Sequence, residues 1–268
     1  MFDAIHLYVR YIGISIRSQM QYRASFLMHA IGRFLITSID ILGIWALFSR
    51  FGSLRGWRLA EVALFYGMVK TAFAIADAFS RGFDLFAGMV KTGRFDRLLL
   101  RPRSTALQVA GQELTLFRVG QLAQGLIVLL LAAGALGVEW SLARIALVLL
   151  AILGGSCMFV GLFVLQATLA FWTTETLEIM STVTYGGTET GQYPLSIYRP
   201  WFRKFFTFVV PLACVSYFPG LAILGRADQA IGSPRWFQCS APLIGVVFLL
   251  VSLRVWNLGV RHYRSTGS

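Results

Sequence analysis

Ionisable side chains inside two long apolar segments are the first candidates for chemistry in this chain. The earlier segment places four polar side chains on one face of a helix, at steps of four, four and three residues: His29, Arg33, Thr37 and Asp40. In the later segment Lys70 and Asp77 are seven residues apart, which is about two helical turns and again one face. Two bases and two acids in apolar surroundings are balanced for pairing with one another.

The order of these charges predicts which side chains pair. If the two segments are adjacent antiparallel helices, Arg33 comes beside Asp77. The same register brings Asp40 beside Lys70, because both sets are separated by about 10.5 Å along a helix axis. We therefore predict two ion pairs between the helices. The alternative is that the four charges line a substrate path or mark a hinge.

The sequence contains no recognisable catalytic motif. It has no G-x-x-x-x-G-K-[ST] phosphate loop, no H-E-x-x-H zinc motif and no G-x-S-x-G nucleophile motif. The glycine-rich stretch at 186–191 lacks a lysine and is interpreted as a flexible joint. Cys157, Cys214 and Cys239 lie too far apart for a zinc motif or a disulfide framework. We expect no catalytic residue, no metal site and no cofactor on this chain.

The composition places most of the chain in lipid. Hydrophobic residues make up 57% of the 268 residues, charged residues only 13%, and the mean hydropathy is +0.68. A soluble domain carries about 25% charged residues. Soluble enzymes, disordered proteins and coiled coils are therefore excluded. The excess of 24 Lys and Arg over 12 Asp and Glu indicates cytoplasmic loops of a membrane protein, not nucleic-acid binding.

Apolar runs predict an all-α membrane protein with a single transmembrane domain over residues 1–268. A spanning helix needs about 20 mostly apolar residues. Six spans are predicted: residues 24–48, 60–80, 116–138, 142–167, 205–225 and 239–258. Residues 2–21 combine apolar side chains at helical spacing with charges, which predicts an amphipathic helix on the membrane surface. An ordinary surface helix packed on protein is the alternative.

Proline and glycine refine these spans. Pro211 and Pro219 are predicted to bend the fifth span, because proline removes a backbone donor and clashes with the preceding turn. The third and fourth spans carry small residues, among them Gly120 and Gly154, that let helix backbones approach closely. We interpret these faces as packing within the chain, with a subunit interface as the alternative.

Basic residues predict the orientation. With the N-terminus inside, sixteen Lys and Arg lie in inner segments and six in outer ones. This asymmetry favours a cytoplasmic N-terminus and a cytoplasmic C-terminus. Two long inner segments follow from it, residues 81–115 and 168–204.

A short motif in the first inner segment carries the strongest functional signal. Residues 83–103 begin with an amphipathic stretch and continue through Gly93, the acid–base pair Asp96 and Arg97, and Pro102. A short helix held at the membrane edge by its apolar side can present charges to a soluble partner. The alternative is that its arginines only anchor the chain to the membrane surface.

This segment resembles the inner loop of the permease subunits of type-2 ABC exporters, in the branch of small six-helix permeases. That loop has the pattern Gly-x-Phe-Asp-x-Leu-Leu-x-Arg-Pro, which seven residues match: Gly93, Phe95, Asp96, Leu98, Leu99, Arg101 and Pro102. The branch also shows a Tyr-Pro-x-x-Ile-Tyr segment, found here at 193–198, and then a helix with two prolines like Pro211 and Pro219. The resemblance covers nearly the whole chain.

The resemblance implies a function in ATP-driven export from the bacterial plasma (inner) membrane. A permease of this kind has no ATPase of its own, so ATP and Mg²⁺ would be bound by two copies of a separate ATP-binding subunit. The N-terminal helix and the inner loop would contact that subunit, through these residues of the loop: Gly93, Phe95, Asp96, Arg97, Arg101 and Pro102. A second permease, identical or homologous, would complete the complex, and the substrate would be an amphiphilic drug, a lipid or a glycan.

Two other classes of function stay open from the residues alone. An ion-coupled secondary transporter would use acids such as Asp40, Asp77 and Glu113, although the sequence shows no inverted repeat. A membrane enzyme would need a nucleophile, a base and an orienting group that converge, and none is evident.

Overall fold

A computed structural model describes residues 2–113, 115, 118–173, 177–228 and 230–263. The regular secondary structure of the described residues is all helical and includes no β-strand, as predicted for an all-α protein. The helices, in chain order, are α1 (Phe2–Met20), α2 (Arg23–Phe51), α3 (Leu59–Asp84), α4 (Phe86–Lys91), α5 (Arg94–Leu99), α6 (Thr105–Ala110), α7 (Val119–Ala135), α8 (Leu142–Leu169), α9 (Leu177–Gly191), α10 (Pro200–Lys204), α11 (Leu212–Val215), α12 (Tyr217–Leu224), α13 (Arg235–Ser240) and α14 (Leu243–His262).

Four of the described helices are long and apolar enough to cross a membrane. They are α2, α3 continued through α4, α8 and α14, and they correspond to the first, second, fourth and sixth predicted spans. The third predicted span is represented by α7, which has 17 residues and is therefore only about 25 Å long. Helix α1 covers Phe2–Met20, and both its amphipathic character and its position at a membrane surface stay predictions.

The helix α3 lies at the centre of the bundle. It packs against α7 and α8 along its length and also contacts α2, α9 and α12. In its most apolar stretch 78% of the residues are buried, against 17% for α2. The two ends of α3 are used to state where other residues lie. We call the end where residues 52–58 join α2 to α3 the distal end, and the end where residues 85–104 lie the proximal end.

The fifth predicted span, residues 205–225, does not run from one end to the other. The indole N–H of Trp57 donates to Ser196 Oγ at 2.9 Å, and Arg55 Nη1 donates to the carbonyl of Ile197 at 3.1 Å. At the other end of this segment, Arg226 Nη2 donates to the carbonyl of Gly56 at 3.2 Å. Residues 197–226 therefore leave the distal end and return to it as a re-entrant hairpin, and the predicted fifth span is wrong.

The helix α9 runs from the proximal end toward the distal end, the course that was predicted for residues 205–225. At the middle of α9 Thr184 Oγ1 donates to Gln166 Oε1 at 3.5 Å, close to the proximal end of α8, and near the end of α9 Glu189 reaches the middle of α3. Residues 192–196 then continue to the distal end. The predicted inner segment 168–204 is therefore wrong beyond the start of α9. Tyr11 and Tyr263 both lie at the proximal end.

The hairpin is bent by 73° between Pro200–Val209 and Leu212–Leu224. The bend lies at Val210 and Pro211, directly after a π-helical turn at Phe205–Val209. The predicted kink at Pro211 is therefore confirmed. Pro219 lies in the first turn of α12, where a missing backbone N–H is tolerated, so it bends nothing. The second break is at Ser216.

Small residues let the long helices touch backbone to backbone. A Cβ added to Gly120 would overlap the carbonyl of Ala30 on α2. One added to Gly154 would overlap the carbonyl of Pro242 at the start of α14. At these two positions the small faces pack within the chain, as predicted.

Candidate functional site

The central helix α3 carries the polar side chains that join the surrounding helices. Such groups are expensive in apolar surroundings unless they are paired. The polar positions of α3 extend over its whole length: Glu61, Tyr66, Lys70, Asp77, Ser80 and Asp84. The partners of these side chains show which helices the polar groups connect.

Lys70 forms a three-residue charge cluster in the middle of the bundle. Its Nζ lies 2.9 Å from Asp40 Oδ2 on α2 and 3.0 Å from Glu189 Oε1 on α9. The lysine side chain is only 5% exposed, whereas the side chains of Asp40 and Glu189 are 41% and 61% exposed. The predicted Asp40–Lys70 pair is confirmed. Two carboxylates share one ammonium group, so the cluster carries one net negative charge.

The predicted flexible joint at residues 186–191 is wrong, which is why Glu189 is absent from the predicted charge pairs. In the structure these residues end α9. A helical signal was present, because the buried residues of this segment fall at the spacing i, i+3, i+4, i+7: Thr184, Gly187, Thr188 and Gly191. They are small, so the segment looks like a loop by composition while it packs closely as a helix.

The predicted partner of Asp77 is wrong. Asp77 Oδ2 lies 2.7 Å from Arg118 Nη2, and both side chains are buried. Arg33 is a weaker electrostatic neighbour of Asp77 than Arg118. The physical reason is packing: α7, which Arg118 precedes, lies along α3 more extensively than α2 does. Spacing along α2 and α3 does not point to Arg118, because this residue lies at the edge of the third predicted span, residues 116–138.

Tyr66 extends the polar contacts between α2, α3 and α7. Its hydroxyl donates to the carbonyl of Thr37 at 2.9 Å and accepts from Gln124 Nε2 at 3.0 Å. The ammonium of Lys70 lies 5.5 Å from the centre of the Tyr66 ring. Thr37 and Asp40 thus face α3, as their spacing on α2 indicated.

The segment 83–103 is built on a buried aromatic cluster at the proximal end. Phe95 is fully buried, and its ring centre lies 4.9 Å from that of Phe86 and 5.0 Å from that of Tyr263. Phe171, at the end of α8, and Trp256, on α14, pack against the same rings. The segment is therefore fixed to the proximal ends of both long helices.

The predicted coupling residues divide into a buried group and an exposed group. Gly93 has φ of +64° and makes the left-handed turn between α4 and α5, a conformation that favours glycine. Phe95 points inward, and Asp96 is half-buried beside Tyr263. Burial, and then the Asp96 carboxylate, raises the pKa of Tyr263 to about 12. Arg97, Arg101 and Pro102 are exposed.

The outer side of this segment is basic and partly apolar. Its exposed cations are Lys91, Arg94, Arg97, Arg101 and Arg103. Leu99 is also exposed, and Leu100 is 85% exposed. Exposed leucines among exposed cations are typical of a surface that binds another protein.

The distal end is held by polar contacts around Trp57. Arg226 lies over the Trp57 ring at 4.4 Å and pairs with Glu61 Oε1 at 2.9 Å. Arg58 lies 3.8 Å from the same carboxylate. Two arginines of the loop between α2 and α3 therefore have partners, because Arg58 lies beside Glu61 and Arg55 binds the hairpin at Ile197.

Comparison with known proteins identifies one family. The family described as ABC-2 family transporter protein matches residues 34–267, which includes the charge cluster, the segment 83–103 and the hairpin. No curated protein and no solved structure matches the chain.

Proposed function

Because the chain belongs to the ABC-2 family of transporter proteins, we propose that it is the transmembrane subunit of an ATP-driven exporter. The observation that carries this proposal is the coupling segment 83–103. Its aromatic side is packed against α8 and α14, while its basic and leucine-bearing side is exposed. This arrangement suits a surface that receives movement from a soluble ATP-binding subunit and passes it to the helices.

The proposed complex contains two ATP-binding subunits, which would hold ATP and Mg²⁺, and a second permease. Six spans are proposed for this chain: α2, α3, α7, α8, α9 with residues 192–196, and α13 with α14. The proximal end would face the cytoplasm of a bacterial plasma (inner) membrane. With the hairpin at the distal end, the basic residues divide thirteen to nine in favour of this orientation. Helix α1 would lie on the inner membrane surface and, with the coupling segment, contact the ATP-binding subunits.

The charge cluster marks the proposed substrate path. Asp40 and Glu189 are partly exposed at mid-height of the bundle, where a carboxylate facing hydrocarbon is strongly disfavoured. We therefore place this face toward the second permease and the path between the two subunits. The substrate classes remain an amphiphilic drug, a lipid or a glycan. Ion-coupled transport through Asp40 and Asp77 is less well supported, because each of these acids is paired with a base.

The proposal is tested by assembly and ATP hydrolysis. The tagged chain, purified from its own membrane, should carry a bound ATP-binding protein that hydrolyses ATP in proteoliposomes. Changing Arg97→Glu together with Arg101→Glu should reduce the recovery of that protein and the hydrolysis at least tenfold. The matched control is Arg235→Glu, an exposed arginine far along the chain from the coupling segment. Transport by the chain alone, or full hydrolysis in the double variant, would contradict the proposal.

A further inference from the structure

A second polar site lies at the proximal end, apart from the coupling segment and the charge cluster. It is a pocket of about 410 Å³ between α1, the first turns of α2 and the residues Gln112, Glu113 and Thr115. Pockets that bind small ligands have volumes of about 300–1,000 Å³. Eight of its ten lining residues are polar, whereas the groove between α2 and α7 is almost wholly apolar. A polar pocket beside the first span has no role in the proposed export mechanism.

Thr115 indicates that the pocket is suited to a polar ligand. Its side chain lines the pocket, the residue is only 4% exposed, and Oγ1 has no hydrogen-bond partner within the described chain. Buried hydroxyl groups almost always have a partner. A hydroxyl group that is shielded from bulk water and borders a pocket can be satisfied by a ligand there.

The chemistry of the lining selects the class of ligand. Four hydroxyl side chains, two amides and an imidazole line the pocket, and each of these groups can both donate and accept hydrogen bonds. A ligand whose groups also do both, a sugar, matches them better than a phosphate, which only accepts, or an ammonium, which only donates. Glu113 adds an acceptor for sugar hydroxyls and, as a carboxylate, opposes an anion. Tyr22 and Phe26 provide apolar ring faces at the same site.

The position of the pocket beside apolar residues of α2 indicates that the sugar is attached to a lipid. The pocket opens where the chain enters α2, and the next turn of α2 exposes Leu27, Met28 and Ile31. These side chains would lie along acyl chains if the headgroup occupied the pocket. We propose that this pocket binds the sugar headgroup of a membrane glycolipid.

The binding experiment uses the full chain in nanodiscs and needs no ATP-binding subunit, so its result is independent of the proposed transport function. The chain is extracted without alkyl maltosides, since these carry the same sugar hydroxyls. Nanodiscs of phosphatidylcholine contain either glucosyl diacylglycerol or diacylglycerol with the same acyl chains. Native mass spectrometry then counts the lipids retained. We expect glucosyl diacylglycerol to be retained at least tenfold more than diacylglycerol.

Two variants test whether the binding occurs in this pocket. Gln112→Leu and Thr115→Val should each weaken glycolipid retention by up to about tenfold, the effect of one lost hydrogen bond. Without glycolipid, Thr115→Val should leave the melting temperature unchanged or raise it, because it removes an unpaired buried hydroxyl. Thr207→Val is the matched control, since that hydroxyl donates to the carbonyl of Arg203 and lies in the hairpin.

The outcomes separate the sources of the sugar. Soluble methyl glucoside is added as a competitor. If a low concentration of it displaces the glycolipid, the pocket binds a free sugar, and the glycolipid assignment is overturned. Equal retention of diacylglycerol, a preference for phosphatidylethanolamine or phosphatidylglycerol, or unchanged binding in both pocket variants would also overturn it. Loss of retention in Thr115→Val together with an unchanged or higher melting temperature would support it.

Discussion

The two ends of α3 are held by different kinds of contact. At the distal end Trp57, Glu61 and Arg226 join the hairpin to the α2–α3 loop through hydrogen bonds, an ion pair and a cation–π contact. At the proximal end Phe86 and Phe95 fix the coupling segment through packed rings. Polar contacts depend on a few directed bonds, whereas the aromatic cluster distributes its energy over many contacts.

This difference suggests different tolerance to movement. A hydrogen bond weakens steeply when its angle changes, so the distal hairpin has a well-defined position relative to the loop. Packed rings can slide by a fraction of their width and keep most of their buried area. The proximal end is thus suited to receive a moving partner, and the distal end to keep a fixed geometry.

The largest expected effect concerns the buried ion pair of α3, which lies between the two ends. Asp77→Asn leaves the buried Arg118 without its counter-charge and should destabilise the protein by about 3–5 kcal/mol. Asp77→Leu combined with Arg118→Met should be much less destabilising, because no buried charge remains. Unfolding in mixed detergent micelles measures both. If the double variant is as unstable as the single one, the ion pair stabilises the fold by more than the neutralisation of two buried charges.

The next effect tests the aromatic end. Phe95→Ala should destabilise the protein by about 3 kcal/mol, at the lower end of the range for buried phenylalanine, because two rings of the cluster, Phe171 and Tyr263, are only partly buried. Leu100→Ala, an exposed change in the same segment, should cost less than about 0.5 kcal/mol. Thermal unfolding compares the two variants. Similar values for both would contradict an anchoring role for Phe95.

A smaller effect is expected at the distal end. Trp57→Phe removes the bond to Ser196 and should cost about 1 kcal/mol. Ser196→Ala should cost a similar amount, and the double variant little more, because both remove the same bond. Hydrogen exchange of residues 195–198 should increase in all three. Additive effects would show that the two side chains do not act through one contact.

The smallest expected effect is on the pH dependence of stability, and it concerns Asp228 in the loop after the hairpin. Burial raises the pKa of Asp228, but the backbone N–H groups of Ser233, Ala230 and Ile231 outweigh it, so the net pKa lies below its usual 3.8. A carboxyl with a lower pKa in the folded state stabilises at neutral pH, and this contribution is lost as the pH falls from about 4. Asp228→Asn should reduce the loss of stability between pH 5 and pH 3. An unchanged acid profile would contradict the assignment.

The sequence predicted the long helices better than the distal hairpin. Four long apolar helices and the Asp40–Lys70 pair followed from hydropathy and spacing. Hydropathy did not predict that α9 crosses the bundle while the hairpin turns back. It reports burial in apolar surroundings and not the direction of the chain. Residues Tyr217–Ile223 are apolar because protein covers them, whereas α9 is rich in threonine and glycine because it packs closely.

The charges around α3 were also predicted only in part, because spacing along the chain does not fix how the helices pack. Spacing along α2 and α3 restricts which charges can meet, and it correctly gave Asp40 and Lys70. It could not rank Arg33 against Arg118, since that choice depends on which helix lies nearer to Asp77. Glu189 required knowing that α9 passes Lys70, which is a property of the packed bundle.

The unbroken course of α3 has a mechanical consequence. Its 26 residues form a rod about 39 Å long, so a tilt of about 5° about one end displaces the other by about 3 Å. Because the hairpin is tied at both of its ends to the loop that begins this rod, it would be carried along as one body. A small rotation at one face of the membrane would thereby become a lateral opening at the other.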